Sequence, residues 1–430
     1  MLRLIIFVIQ LIFLLIIVSL IFSNPFLISF DISDLKYTFS SNIFIGTILI
    51  IFLCIFIFFY LFFKSRFSIK NYILKNKYKK LEKGYLHFVE AMIAIANKDH
   101  KNAIKSHKKM NSFLKDDPSL SLLLKSEVYK VEKNYSKLSN VYETMIGSKK
   151  TEALGYRGLM ELNLKNQDYH HAFLYGEKLF NIYPSIEKLY ETLTYIVAKT
   201  KNWNQLVIIS DKAYANKVID KETLQENKSI AFYEIAKILS GANLKDAIKS
   251  ASKAIDLKKS FPPYLSLHLE FIAQTNNIVL LKKMIKKYWS INTNSIFRSL
   301  LTKIILDNNL EDLDFINQIV KNNKENDESK KMLVYFAIKN NNWKMARDKI
   351  TGLIGSNPTR EICLFMSEIE LGENNDKQKS DAWIMRSETS LVENYWICKI
   401  TNQSQNEWSS LSESGYFNSL VLNSSKMLKK

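Results

Sequence analysis

The chain has 430 residues, of which 60 are Lys or Arg and 42 are Asp or Glu, giving a net charge of +18. Only 11 Gly and 6 Pro punctuate that length, which argues against a turn-rich β architecture and for helix. The three cysteines, Cys54, Cys363 and Cys398, form no C-x-x-C pair, so no disulfide framework is supported and the soluble part is expected in a reducing compartment.

The first predicted element is an apolar run from Leu4 to Phe22, uncharged and interrupted only by Gln10 and Ser19. That is about the length needed to cross a hydrocarbon core of roughly 30 Å. A second run, Ile43 to Phe63, is uncharged and still more apolar. Arg3 ahead of the first run would suit a cleaved signal peptide, but the run exceeds the usual apolar region of such a signal, and Ser23-Asn24-Pro25-Phe26 has no A-x-A-like cleavage site. Residues 1–63 are therefore expected to form a two-helix transmembrane hairpin, with spans at about 4–22 and 43–63 and a short loop at 23–42.

Lys and Arg resist translocation and so set orientation. Lys64, Arg66, Lys70, Lys75, Lys77, Lys79, Lys80 and Lys83 follow the second run, while the loop holds Lys36, Asp31 and Asp34. Both termini are expected in the cytoplasm, with the loop periplasmic. The basic segment 64–83 is read as a juxtamembrane helix touching anionic lipid headgroups, not as a nucleic-acid site.

From Gly84 a short pattern recurs: Asn or Asp, a ring or bulky apolar residue, two variable positions, then Ala or Leu. Its copies are Asp99 to Ala103, Asn134 to Leu138, Asp168 to Ala172, Asn202 to Leu206, Asn243 to Ala247, Asn277 to Leu281, Asn309 to Leu313 and Asn342 to Ala346, with a looser one ending at Ala382. Successive copies fall 35, 34, 34, 41, 34, 32 and 33 residues apart, close to the tetratricopeptide period of about 34. The Asn or Asp caps the turn between two helices, and the small or apolar residue packs the second helix on the first. Pro184 and Pro358 fall where one repeat hands over to the next.

The expected fold class is thus all-α: the membrane hairpin, then a tetratricopeptide-type superhelical solenoid over 84–390, then an aromatic C-terminal cap and tail over 391–430. Stacked helix pairs leave an inner surface free to bind peptide. With Met160 opposite Ala172 as the close-packing position, Arg157 and Glu161 are expected in that groove, followed one repeat later by Glu191 and Tyr195.

Nothing in the sequence seats catalysis. The six histidines make no H-E-x-x-H, and there is no Walker loop and no G-x-S-x-G. His170 and His171 read as surface residues at a helix start, and the recurring Tyr135, Tyr169, Trp203 and Trp343 as core packing at the corner of each repeat. Cys398-x-x-Thr401 followed by Leu411-x-x-Ser414-Gly415 has the outline of a zinc knuckle lacking three of its four cysteines, and one thiolate cannot hold structural zinc. No enzyme, cofactor or metal is expected.

Two apolar runs, a basic segment and repeats opening with Gly84, Ala91, Asp99 and Ala103 resemble the HemY family of proteobacterial inner-membrane proteins. Arg157-Gly158-Leu159, Gln167-Asp168, Ala172, Pro184 and Trp203 are similar to that family's best-preserved repeat, and Trp383 to Arg386, Trp396, Trp408 and Gly415 to the ending of its alphaproteobacterial branch. The resemblance implies a non-catalytic accessory role in late haem (tetrapyrrole) biosynthesis at the bacterial inner membrane, with late haem-pathway enzymes as partners. The flavin-dependent protoporphyrinogen oxidase of the same name would need a Gly-rich dinucleotide fingerprint, which is missing. Two other readings stand beside it: an envelope-assembly adaptor of the lipopolysaccharide-regulating kind, and a haem or porphyrin carrier.

Overall fold

The computed structural model describes residues 2–23, 25–32, 35–114, 118–355, 357–392 and 394–423. Asp34 lies outside them. Two compact units are present, residues 1–133 and 134–430.

In the first unit, helix α1 covers Leu2–Ser23 and strands β1 (Leu27–Ile32) and β2 (Leu35–Ser40) pair antiparallel. The segment expected as a loop is therefore a hydrogen-bonded ladder, with Asp31 opposite Lys36. Ser41 closes it: its N–H donates to the Phe26 carbonyl at 2.8 Å, and its hydroxyl accepts from the Phe26 N–H at 3.0 Å.

Helix α2 then runs unbroken from Ser41 to Ala96. It absorbs the second apolar run, the basic segment and the first repeat helix, because no Pro and only Gly46 and Gly84 interrupt its 56 residues. Among the described residues this is the one helix long and apolar enough to cross a membrane, so the two-helix hairpin expected for residues 1–63 is not shown. The far end of α2 packs with α3 (His100–Phe113) and α4 (Pro118–Val131) through Ala91, Met110, Leu114 and Leu124, all buried.

The second unit is a run of antiparallel helix pairs. Its helices are α5 (Tyr135–Ile146), α6 (Glu152–Lys165), α7 (Tyr169–Ile182), α8 (Leu189–Thr200), α9 (Trp203–Ala215), α10 (Lys221–Leu239), α11 (Leu244–Leu257), α12 (Pro262–Gln274), α13 (Ile278–Ile291), α14 (Ser295–Asp307), α15 (Leu313–Val320), α16 (Asp327–Lys339), α17 (Trp343–Thr351), α18 (Arg360–Asn374) and α19 (Lys377–Glu388). The odd-numbered members from α5 onward are the second helices of their pairs. Most of their capping residues act as the pattern requires: Asp168 accepts from the His171 N–H at 3.1 Å and Asn277 from the Leu280 N–H at 2.9 Å. Ala172, Leu206, Ala247, Leu281 and Ala346 are fully buried. The long interval is filled by α10, whose 19 residues exceed every other helix of this unit.

Three copies need correction. Asn202 stands at the start of α9, but its side chain accepts no capping bond. Asn309 does not cap its helix: it adopts φ 53°, the left-handed conformation that Asn276 and Asn341 hold just before their caps. The position that caps the other repeats falls on Leu310, which has no acceptor and is buried, so α15 starts only at Leu313, with Asp312 at its N-cap. In the last copy the packing residue is Ser380, bonded to Ser367 at 2.7 Å, while Ala382 is exposed.

The C-terminal segment departs from all-α. Strands β3 (Tyr395–Cys398), β4 (Ser404–Gln405) and β5 (Leu420–Asn423) form an antiparallel sheet in the order β4-β3-β5. Trp396 and Cys398 point inward and Tyr395 and Ile397 are half-buried, the period of two that aromatic and branched residues favour on a pleated surface.

Candidate functional site

The first helices of successive pairs, α6 to α18, share one face, and the expected groove residues lie on it. They do not form one site. Arg157 and Glu161, one turn apart on α6, pair with each other at 2.9 Å, both about half-exposed. They line a cleft of about 360 Å³ with Met160, Ile186 and Thr192. Met160 and Ala172 are buried in one core cluster.

Glu191 and Tyr195 on α8 line a second cleft of about 590 Å³, whose opposite wall is Asp220 and Asn227 together with Ile400, Tyr416 and Phe417 of the C-terminal segment. Burial, and then the phenol of Tyr169, push the Tyr195 hydroxyl above the ordinary tyrosine range. This half of the face is occupied by the chain's own tail.

That cover is anchored by aromatic packing. Trp408 inserts among Tyr233, Phe261 and Tyr264, with ring centroids 5.2, 5.1 and 5.7 Å away, and Trp396 meets Phe261 at 5.8 Å. Edge-to-face pairs of this kind add about 0.5–1.5 kcal/mol each to the area they bury. Leu411 and Phe417 pack on the core formed by α7, α8 and α9. Glu226 of α10 adds a polar tie: burial would raise its carboxyl, but Lys258 at 2.9 Å, then Asn418 and Lys399 of the tail, hold it below the usual range.

Beneath the cover the first helices are joined by neutral hydrogen bonds. Tyr190 Oη lies 2.9 Å from Ser210 Oγ and accepts from Asn227 Nδ2 at 2.8 Å, while Ser229 Oγ meets Tyr264 Oη at 3.1 Å. Farther along the joint is ionic. Arg298 of α14, 5% exposed, reaches Glu328 of α16 at 2.8 Å and Glu361 of α18 at 2.5 Å, and Lys331 adds a contact to Glu328 at 3.0 Å. Two cations and two anions balance, so this cluster ties three repeats together and has no spare charge for a ligand.

Groups with chemical potential have structural partners. His171 Nδ1 lies 2.8 Å from its capping Asp168, and the rings of His170 and His171 meet edge to face at the surface. His268 is buried, with Nε2 3.0 Å from Ser252 Oγ and Nδ1 2.9 Å from Tyr288 Oη; burial lowers it to about 4. The thiol of Cys398 sits 3.3 Å from Ser419 Oγ and is drawn down to about 6 by Ser419 and by the hydroxyl and backbone N–H groups of its own turn, Thr401 foremost. The Thr401 and Ser414 hydroxyls lie 3.0 Å apart. They close by a hydrogen bond the two turns that a knuckle would join through metal. Among the described residues no group of His, Cys, Asp and Glu could hold a metal ion.

Of the ring residues at repeat corners, Tyr169, Trp203 and Trp343 are packing elements, whereas Tyr135 is exposed, with Lys165 Nζ over its ring at 3.9 Å. Tyr169 meets Tyr195 of the next first helix at 6.3 Å, and Trp343 lies so close over Gly372 that a Cβ there would come within 2.4 Å of the ring. Residue patterns did not disclose the cover on the groove. Its one signal was tryptophan in a polar tail, which implies burial without saying against what.

No protein-family profile matches the sequence, and no curated relative matches it, so neither supports the family resemblance drawn from the motifs. Solved structures do match. The TPR2AB domain of yeast Sti1, in a complex with pHSP90, aligns at 10% identity over 71% of this chain and 98% of its own, with a TM-score of 0.31. Yeast Tom70 aligns at 15% identity over 72% and 77%, with a TM-score of 0.28, and a tetratricopeptide repeat protein from Parabacteroides merdae at 14% over 57% and 92%, with a TM-score of 0.26. The assignment of the chain as a helical repeat solenoid rests on its own caps, spacing and packing.

Proposed function

We propose that the chain is a membrane-anchored, non-catalytic scaffold that holds protein partners on its first-helix face and organises or regulates late haem (tetrapyrrole) biosynthesis at the bacterial inner membrane. The observation that carries the anchored-scaffold reading is α2, in which a run of mean hydropathy 3.0 continues without a break into the first repeat. The haem assignment rests on the motif resemblance alone. In this reading α1 and α2 span the bilayer twice and both ends of the chain face the cytoplasm. A reporter fused at Lys430 scores cytoplasmic; a periplasmic score overturns the topology.

The open cleft beside Arg157 and Glu161 and the covered one beside Glu191 and Tyr195 are the proposed partner contacts. Crosslinking of the membrane-embedded chain in cells, with porphyrin levels measured in a deletion strain, tests the role. Capture of late haem-pathway enzymes with porphyrin accumulation supports it. The sheet-bearing cap and its knuckle-like turns favour a second reading, an envelope-assembly adaptor, and capture of envelope-synthesis enzymes with normal porphyrins selects that one.

A further inference from the structure

We propose that the outward face of α11 and α13, second helices of successive repeats, docks on anionic lipid headgroups. Together these helices carry seven lysines against two aspartates, Asp246 and Asp256, and α13 has no acid at all. The buried residues of α13 are Leu281, Ile285, Tyr288 and Trp289, which turns Lys283, Lys286 and Lys287 outward; on α11 the buried Ala247, Ala251, Ala254 and Ile255 do the same for Lys245, Lys249 and Lys253. All six are exposed, and among the described residues none pairs with a carboxylate. On the preceding second helix, by contrast, Lys212 lies 3.7 Å from Glu177. Among the second helices α3 also carries four lysines and no acid, so charge alone does not set this face apart.

A second observation names the partner. At the start of α13 three consecutive aliphatic residues, Ile278, Val279 and Leu280, face solvent at 42%, 82% and 39% exposure. Val279 lies one and two turns before Lys283 and Lys286, so lysines and aliphatic tip share one side. An interface of anionic headgroups over acyl chains takes both, charge at the phosphates and branched side chains just below. A nucleic-acid backbone would leave the aliphatic tip without a partner, and the face offers no Arg and no exposed ring for bidentate or stacking contacts. The inference rests on the anchored reading, since a tether to the bilayer raises the local concentration of this surface at the membrane.

The test uses the full chain in nanodiscs, with Cys54→Ser and Val279→Cys carrying a polarity-sensitive dye; Cys363 and Cys398 are buried. Entry into the discs is read first by size-exclusion chromatography. A chain that stays outside refutes the anchor and this proposal with it. For a chain that enters, the expected result is blue-shifted emission quenched by nitroxide-labelled lipid in discs containing phosphatidylglycerol, and not in discs of phosphatidylcholine alone. Lys249→Gln, Lys283→Gln and Lys286→Gln together should remove the signal without changing helicity, since each lysine at an anionic surface changes binding about fivefold. Water-like emission in both discs, equal shifts in both, or a shift produced only by added duplex DNA overturns the proposal and leaves the anchor standing.

Discussion

The first-helix face is fastened differently along its length. From α8 to α12 the joints are neutral, made by Tyr190, Asn227, Ser229 and Tyr264 and roofed by Trp408. From α14 to α18 they are ionic, centred on Arg298. A neutral joint tolerates truncation of one partner at the cost of a hydrogen bond, whereas a buried ion pair gives modest net stability when intact and costs much more when one member is lost. The difference between the two stretches lies in the side chains that meet between neighbouring first helices.

Removing the ionic centre gives the largest expected effect. Arg298→Met should destabilise the second unit by about 3–5 kcal/mol, because Glu328 and Glu361, both largely withdrawn from solvent, lose the guanidinium that bridges them. Adding Glu361→Met should recover part of that loss in a denaturant melt; no recovery would mean that shape, not charge, holds α14 to α18. On the neutral side Trp408→Ala should cost about 3 kcal/mol, as for truncation of a large packed ring, and should speed proteolysis of the tail. A tail equally protected in the variant would show that the cover does not depend on that ring.

Acid sharpens the contrast. His268 is held neutral with a folded pKa of about 4 against an ordinary value of 6.5, so the unfolded chain binds more protons between those limits. Stability is fully present above pH 6.5, falls as pH drops through the window, and is lower by about 3 kcal/mol below pH 4. His268→Gln should flatten the profile, and an unchanged slope would place the acid sensitivity elsewhere. The smallest effect belongs to Tyr190→Phe, which deprives Asn227 of its acceptor and should cost about 1 kcal/mol in a denaturant melt; no loss would mean that this bond does not fasten α8 to α10.

The repeats were legible because their determinants are local. Asp99, Asp168 and Asn342 cap turns within three residues, and Ala172 or Ala346 buries against the adjoining helix. Asn309 misled for the same reason: cap and pre-cap positions both accept Asn, and only backbone conformation separates them. The cover on Tyr195 was not legible, since it joins residues some two hundred positions apart through shape. The Arg298 cluster was hidden likewise, because each of its charges taken singly reads as an ordinary surface residue.

Helix α2 has one more consequence, a mechanical one. Between Phe63 and Ala91, the first fully buried residue of the repeat core, its backbone advances by about 40 Å as a single rod. Such a rod transmits torque. A turn of its apolar end about the helix axis arrives undiminished at the first repeat, and a residue inserted between them acts as an angle of about 100° besides a rise of about 1.5 Å. The helix thus sets the compass bearing of the first repeat as well as its reach, and only insertions near multiples of a whole turn would leave that bearing unchanged.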